Sequence, residues 1–274
     1  NYDETKNIEL VKKKLNLNHE FIILNKGINK FDVIDELIED IGFPLIGSTN
    51  IAINQICKKV KKDGYKVILT GNGGDEIFSG YYAHHLTYLL SNKKSKNFEQ
   101  KHMDWENKTK IHVRTEILKN LELYEKNVNK NGYNFEANLY EKYFKILKKR
   151  KKPLKVLNIK NKDFFIKHLD NDLFYDQFPT QAHSMDNIAM HNSIESRMPY
   201  VNDYFYNLRN RMSKDFLIKN GLAKYILRDA FKNKLPNSVL FNSEKTGFYF
   251  PIRECINFKS KKFINQIVKN KFLN

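Results

Sequence analysis

The sequence predicts an α/β fold: a parallel sheet flanked by helices, followed by a largely helical carboxyl-terminal half. Three observations carry that reading. Two short apolar runs, Glu20–Leu24 (EFIIL) and Lys66–Thr70 (KVILT), have the length and β-branched content of buried strands. Between them lie two segments of helical periodicity, and strand, helices, strand is the grammar of a parallel crossover. Beyond residue 80 the periodicity is helical almost throughout.

In order along the chain, Phe31, Ile34, Leu37, Ile38 and Ile41 fall on one face of a helix, and a second helix runs from about Ser48 to Lys62 with Ser48 or Thr49 as its cap. The strand Lys66–Thr70 then runs into Gly71-Asn72-Gly73-Gly74-Asp75-Glu76. Ile111–Asn127 and Ala137–Lys149 read as amphipathic, lysine-studded helices, the run from Lys148 to Pro153 as an exposed break, and Asp163–Leu169 as the start of another helix. Helices dominate again from about Ser184, punctuated by Pro199, Gly221, Pro236, Gly247 and Pro251. A parallel sheet needs more strands than these two, and the chain opens on Asn1, so further protein is expected before it, including the first strand of the sheet.

The composition narrows the class. With 274 residues, 41% hydrophobic, 20 Phe and 15 Tyr, the chain can build a core, which argues against global disorder. No apolar run approaches the roughly 18 residues that span a bilayer, and no leader opens the sequence. Cys57 and Cys255 are too few for a disulfide scaffold or a zinc site and read as reduced packing residues, as expected in the cytoplasm. The net charge of +17 is uneven: residues 1–91 carry −1, residues 92–162 carry +12 and residues 163–274 carry +6. Only seven basic residues are Arg, the side chain that best reads phosphates and bases, and no aromatic-and-Arg pattern accompanies the lysines. The excess is read as solvated surface rather than a nucleic-acid interface, for which steeply salt-dependent retention would be the signature.

Three stretches carry chemistry. Thr70-Gly71-Asn72-Gly73-Gly74-Asp75-Glu76 follows a buried strand; its glycines permit positive φ and let backbone N–H groups approach an anion, and its acidic pair can hold a divalent cation. On a helix through Asp186–Arg197, Asp186, Met190, Ser193 and Arg197 share one stripe, with Pro199 ending it and Glu195 free to pair with Arg197. Lys224 and Arg228 stand at i and i+4, a cationic pair that a polyphosphate would rationalise. Taken singly, each has a plain structural reading as a turn, an ion pair or a solvated basic face. Lys245-Thr246-Gly247-Phe248 reads as a loop packing an aromatic back onto the body.

In this order the motifs resemble the synthetase domain of the glutamine-dependent asparagine synthetase family, whose relatives include β-lactam synthetases and amidotransferases of surface-polysaccharide pathways. The resemblance runs from Tyr2-Asp3-Glu4 through TGNGGDEIFSGYY, MDNIAMHNSIESRMPY and AKYILRDAF to KTGF, and is weakest over about 92–162. It implies an adenine-nucleotide α-hydrolase-like (PP-loop) fold and one partial synthetase domain over residues 1–274: an α/β part at 1–91, a lysine-rich helical insertion at 92–162, and a helical part at 163–274 that completes the site.

The resemblance further implies ATP and Mg²⁺, a carboxylate substrate such as aspartate, activation of that substrate as an acyl-adenylate, and ammonia supplied by a glutaminase domain absent here, with a homodimer as an open possibility for assembly. Asp75 would bind Mg²⁺; Thr70, Gly71, Gly73 and Gly74 would shape the loop around ATP, with Arg228 in support. Lys224 would stabilise charge during adenylation, Asp186 would lie near the substrate amine or incoming nucleophile, and Glu76, Glu195 and Arg197 would organise the site. The family usually carries Glu or Asp at the position of Asn72, and Asn cannot act as a base at neutral pH. That departure points toward a carboxylate other than aspartate, for instance in surface-polysaccharide biosynthesis. Gly42-Phe43-Pro44 also lacks an acidic pair common before this proline. The SGGxDS pyrophosphate loop and the glutaminase cysteine are not in the sequence, so the chain by itself is expected to bind ATP poorly and hydrolyse no glutamine. The reading from another class is a non-catalytic basic binding module on the same scaffold.

Overall fold

The computed structural model describes residues 3–22, 30–42, 47–131, 163–247, 250 and 261–268. Both helices expected ahead of the glycine-rich turn are present, at Lys30–Ile41 and Thr49–Lys62, and the strand they lead to is Val67–Leu69, β1. The second helix turns Cys57 inward, where the thiol is fully buried and desolvation pushes its pKa up to about 11. Cys57 is therefore an inert packing group; Cys255 lies outside the described residues.

The partner of β1 is the main surprise. The helix expected to carry Asp186 through Arg197 ends at His191, and Glu195–Arg197 forms β2, parallel to β1 with Val67 opposite Glu195 and Leu69 opposite Arg197. Asp186, Met190, Ser193 and Arg197 therefore share no helical stripe, and Pro199 is not what stops the helix. The cause is local: Asn192 turns its side-chain amide onto the Ile188 carbonyl at 2.9 Å and Asn54 Oδ1 at 2.8 Å, and Ser193 adopts φ +59°, which a continuing helix cannot accommodate. Ile194, fully buried beside Cys57, Met185, Ile188 and Ala189, then seats the new strand on one apolar cluster. Ile68 of β1 packs on the same cluster, whereas Leu69 is 68% exposed, so the two-stranded sheet buries one face.

Two other expectations are corrected. Glu20–Ile22 has no regular structure, and residues 23 and 24 lie outside the described residues; Phe21 and Ile22 are exposed, and among the described residues no neighbouring strand supplies a ladder to hold the run. The helix expected over Ile111–Asn127 is broken into 3₁₀ turns at Lys110–His112 and Glu116–Leu118, followed by a helix at Leu121–Asn131. Extended backbone at Val113 and Thr115 makes the breaks, and it drives Val113 and Leu118 into a core with Trp105, Tyr124 and Val128. The expected helix Ala137–Lys149 and the basic break at 148–153 lie outside the described residues.

The element that supports the glycine-rich turn is the helix Phe164–Phe174. Asp163 caps it, accepting from the Phe165 N–H at 3.0 Å. Its Phe165, Leu169 and Leu173 are buried against Ile77 and Phe78 of the short helix Gly74–Phe78 and against Leu217 and Ile218. Truncating a ring such as Phe78 in this cluster is expected to cost about 3–5 kcal/mol.

Candidate active site

β1 ends at Leu69, the Thr70 N–H donates to the Arg197 carbonyl at 2.9 Å, and the chain turns through Gly71–Gly73 into Gly74–Phe78. The turn is steric in origin. Gly73 has φ +84°, and a Cβ there would stand 2.1 Å from Val201 Cγ2, so only glycine lets the backbone pass this close to Val201. The far end of the helix is as tight: a Cβ on Gly80 would meet Asp75 Oδ1 at 1.5 Å and Lys224 Cε at 2.5 Å. Asp75 is thus aimed across Gly80 into a cleft of about 260 Å³.

That cleft is lined by Asp75, Lys224, Arg228 and Lys245, among others. Lys224 Nζ stands 2.7 Å from Asp75 Oδ1 and Lys245 Nζ 3.0 Å from Oδ2. Burial pushes the Asp75 carboxyl up, but the charges of Lys245 and Lys224 more than reverse it, holding the group down at about 2. The Lys245 ammonium is pulled below its usual range by burial and by Lys224, against the opposing pull of Asp75. It also sits 3.8 Å from the centre of the Tyr81 ring, a cation–π contact.

The two lysines arrive by different routes. Lys224 is not on a helical face with Arg228; it precedes the helix Tyr225–Ala230 with φ +54°. Arg228 ties the loops together, donating from Nε to the Ala223 carbonyl at 2.6 Å and from Nη1 to the Asn242 carbonyl at 2.9 Å and to the Leu240 carbonyl. It holds the residue before Lys224 to the strand of chain that leads to Lys245. The Lys245 backbone N–H is in turn fixed on the Tyr82 hydroxyl at 3.0 Å.

Glu76 faces inward. It is 1% exposed and accepts from the Tyr81 hydroxyl at 2.5 Å; burial raises its pKa, the Tyr81 hydrogen bond opposing. Gln181 donates to the same hydroxyl at 3.0 Å. Of the acidic pair, only Asp75 lines the cleft. A hard cation such as Mg²⁺ takes one or two carboxylates together with phosphate oxygens, and here it would share Asp75 with the ammonium groups of Lys224 and Lys245.

The remaining sequence-derived candidates lie elsewhere. Asp186, exposed, accepts from the Ser196 hydroxyl at 3.2 Å and borders a separate open hollow of about 480 Å³ with Phe178, His183, Met198 and Val201. Phe178 and Val201 are the side chains that crowd Gly73, so the glycine-rich turn packs against two residues that line the hollow. Asn72 sits half-buried in that turn. Glu195 and Arg197 pair with each other at 2.8 Å on the solvent side of β2, and each keeps the other charged. Sequence reasoning missed Lys245 and Tyr81. Both stood inside motifs named above, Tyr81 in TGNGGDEIFSGYY and Lys245 in KTGF, but the KTGF stretch read as a packing loop, because the role of Lys245 arises from a carboxylate 170 positions earlier in the chain.

Asparagine synthetase [glutamine-hydrolyzing] 1 of Bacillus subtilis (strain 168) is 26% identical over an alignment covering 82% of this chain and 37% of that protein, so the chain spans little over a third of the relative it matches. The family described as asparagine synthase matches residues 1–273, and the chain belongs to that family.

Proposed function

We propose that the protein carrying this chain forms an amide by an ATP-dependent route on a carboxylate substrate, in the cleft around Asp75. In the first step a carboxylate oxygen of the substrate attacks the α-phosphorus of ATP, the bond to the β-phosphate oxygen breaks, and pyrophosphate leaves. In the second, ammonia attacks the acyl carbon, the carbon–oxygen bond to AMP breaks, AMP departs with its electron pair, and the nitrogen loses a proton to solvent or a base. The nitrogen would come from glutamine through a glutaminase unit, as the name of the Bacillus relative indicates for that protein.

The observation that carries the reading is the pair of ammonium groups within 3.0 Å of one ionised carboxylate at the end of a glycine-rich turn. An anionic carboxylate approaching an anionic triphosphate needs positive charge already in place, because preorganised charge in a partly desolvated cleft stabilises the developing negative charge most. Lys224 and Lys245 supply it, held by the Arg228 tether and by Tyr82. Asp75 would hold Mg²⁺, whose charge screens the phosphate oxygens. Thr70, Gly71, Gly73 and Gly74 would bound the nucleotide, and Asp186 in the hollow would face the acceptor or the nitrogen donor, with Glu195 and Arg197 acting at a distance. Inert Cys57 suits a reducing compartment such as the cytoplasm.

Asn72 favours a second reading of the acceptor. A neutral amide at this position recognises by hydrogen bonds and removes no proton, which suits a carboxylate other than aspartate, such as a uronic or modified amino acid in surface-polysaccharide assembly. The test is isotopic: with the acceptor carboxylate labelled in both oxygens with ¹⁸O, one label is expected in the AMP released. AMP free of label would overturn the acyl-adenylate route.

A further inference from the structure

Behind the cleft, the helix Tyr82–Ser91 packs on Phe164–Phe174 through polar side chains that adenylation does not use. His84 is wholly buried, with Nε2 2.9 Å from Asp172 Oδ2. His168 Nε2 lies 3.6 Å from the same oxygen, and its Nδ1 is 3.1 Å from Thr87 Oγ1. Donor atoms of His84, His168 and Asp172 fall within 4.8 Å of one another, a grouping that could suit a transition metal.

One contact decides between a metal and a proton. The backbone N–H of Tyr81 donates to His84 Nδ1 at 3.3 Å. Nδ1 is therefore the bare nitrogen of a neutral ring, and the ring proton sits on Nε2, directed at Asp172. The spacing agrees: 2.9 Å is a hydrogen-bond length, whereas two ligands on a tetrahedral zinc stand about 3.3 Å apart.

We propose that Asp172 and His84 form a buried positioning dyad for Tyr81. The carboxylate fixes the tautomer and orientation of the imidazole, and the imidazole holds the Tyr81 N–H. Tyr81 in turn places its ring under the Lys245 ammonium and its hydroxyl on Glu76. The dyad thus connects the helix Phe164–Phe174 to the cation that faces Asp75. Burial holds His84 down at about 3 and Asp172 up, so the ring stays neutral and keeps its bare nitrogen throughout the neutral range. The edge-on contact of the His84 and His168 rings, 5.0 Å between centroids, steadies the imidazole from its other side.

The kinetic consequence rests on the proposed adenylation at this cleft; the structural consequence does not. Three variants of the protein carrying this chain separate them. His84→Phe keeps the ring and loses both hydrogen bonds, Asp172→Leu removes the acceptor, and Asp172→Asn retains an oxygen that accepts from His84 Nε2–H. Amide hydrogen exchange at Tyr81 is expected to quicken about tenfold or more in His84→Phe and Asp172→Leu and to stay near wild type in Asp172→Asn. The kcat for ATP–pyrophosphate exchange is expected to fall about tenfold in the first two and to be restored in the third, beyond any change in thermal stability. In the unmodified protein, ¹⁵N shifts are expected to report a bare Nδ1 and protonated Nε2 on His84, a check that needs no variant to fold. Unchanged Tyr81 exchange in His84→Phe, equal behaviour of the two Asp172 variants, an Nδ1–H tautomer, or a stoichiometric transition metal in the purified protein would each overturn the dyad. Tyr81 exchange that follows the dyad in a protein with no ATP–pyrophosphate exchange would support the dyad and sink the adenylation reading.

Discussion

Asp75 between Lys224 and Lys245 is an arrangement whose energetics depend on all three members. The carboxyl is held at about 2 in the folded chain against 3.8 unperturbed, so its contribution to stability is fully present above pH 3.8 and lost as the pH falls through about 2. Asp75→Asn removes that contribution and leaves two ammonium groups facing one neutral side chain; the expected loss in denaturant unfolding at pH 7 is on the order of 2 kcal/mol. Lys245→Met is the sharper probe. It removes a cation and relieves the cost of burying it, so stability is expected to hold while carboxylate-dependent adenylation falls by roughly 100-fold or more. A Lys245→Met protein that keeps wild-type adenylation would leave Lys224 as the sole charge that matters. At this scale the sequence was legible where one segment holds the answer: Asp75 follows from a strand running into Gly-Asn-Gly-Gly. The role of Lys245 was not legible, although KTGF was noted, because its partner lies across the fold and its own neighbours read as an ordinary loop.

Among the elements, the helix Tyr82–Ser91 bears the most unusual load, since His84 and His85 are consecutive and both buried. Burial lowers each to about 3, with neighbouring cations adding to it, and lowers His168 on the facing helix to about 4, where Asp172 partly opposes. All three are neutral when folded and ordinary when unfolded. Their contribution to stability is therefore fully present above pH 6.5 and is lost as the pH falls toward 4 and below. Asp172, raised by burial, acts in the opposite sense over part of that window. Unfolding near pH 5 is expected to take up about two to three protons, which urea titrations at pH 7, 6 and 5 would measure as a falling midpoint. A midpoint independent of pH across that range would contradict the buried neutral state.

The helix Gln177–His191 and β2 show where sequence reading fails at this scale. A stripe through Asp186, Met190, Ser193 and Arg197 satisfies helical spacing, yet Asn192 and Ser193 end the helix and Ile194 starts a strand. Three residues are too few to display a period of two, and their pairing with Val67–Leu69 is set by a distant segment. Gly80→Ala tests the other tight junction. A methyl there collides with Asp75 Oδ1, so the variant is expected to fold with Asp75 displaced and adenylation lost. Wild-type adenylation in a folded Gly80→Ala protein would mean that Asp75 need not lie where the glycine admits it.

Across the whole molecule, the glycine-rich turn packs against Phe178 and Val201 of the Asp186 hollow and leads to Asp75, which lines the cleft. A reaction that joins a nucleotide-activated carboxylate to a nitrogen donor needs room for both, and the chain passes from residues that pack on the hollow to one that lines the cleft within Gly73 to Asp75. The net charge of +17 says little about this chemistry. Most of it belongs to residues 92–162, whereas the cleft owes its character to two lysines from the carboxyl-terminal part, one bearing on each oxygen of one aspartate. The order of strand, glycine turn and helical half was readable from the sequence because each is local; the pairing of β1 with β2 and the meeting of the two lysines was not. Carboxylate-dependent ATP–pyrophosphate exchange, measured across candidate carboxylates in the protein that carries this chain and in its Asp75→Asn variant, tests the central claim most directly. The expected result is exchange that requires a particular carboxylate and drops by roughly 100-fold or more in the variant; exchange undiminished in Asp75→Asn, or absent with every carboxylate, would contradict it.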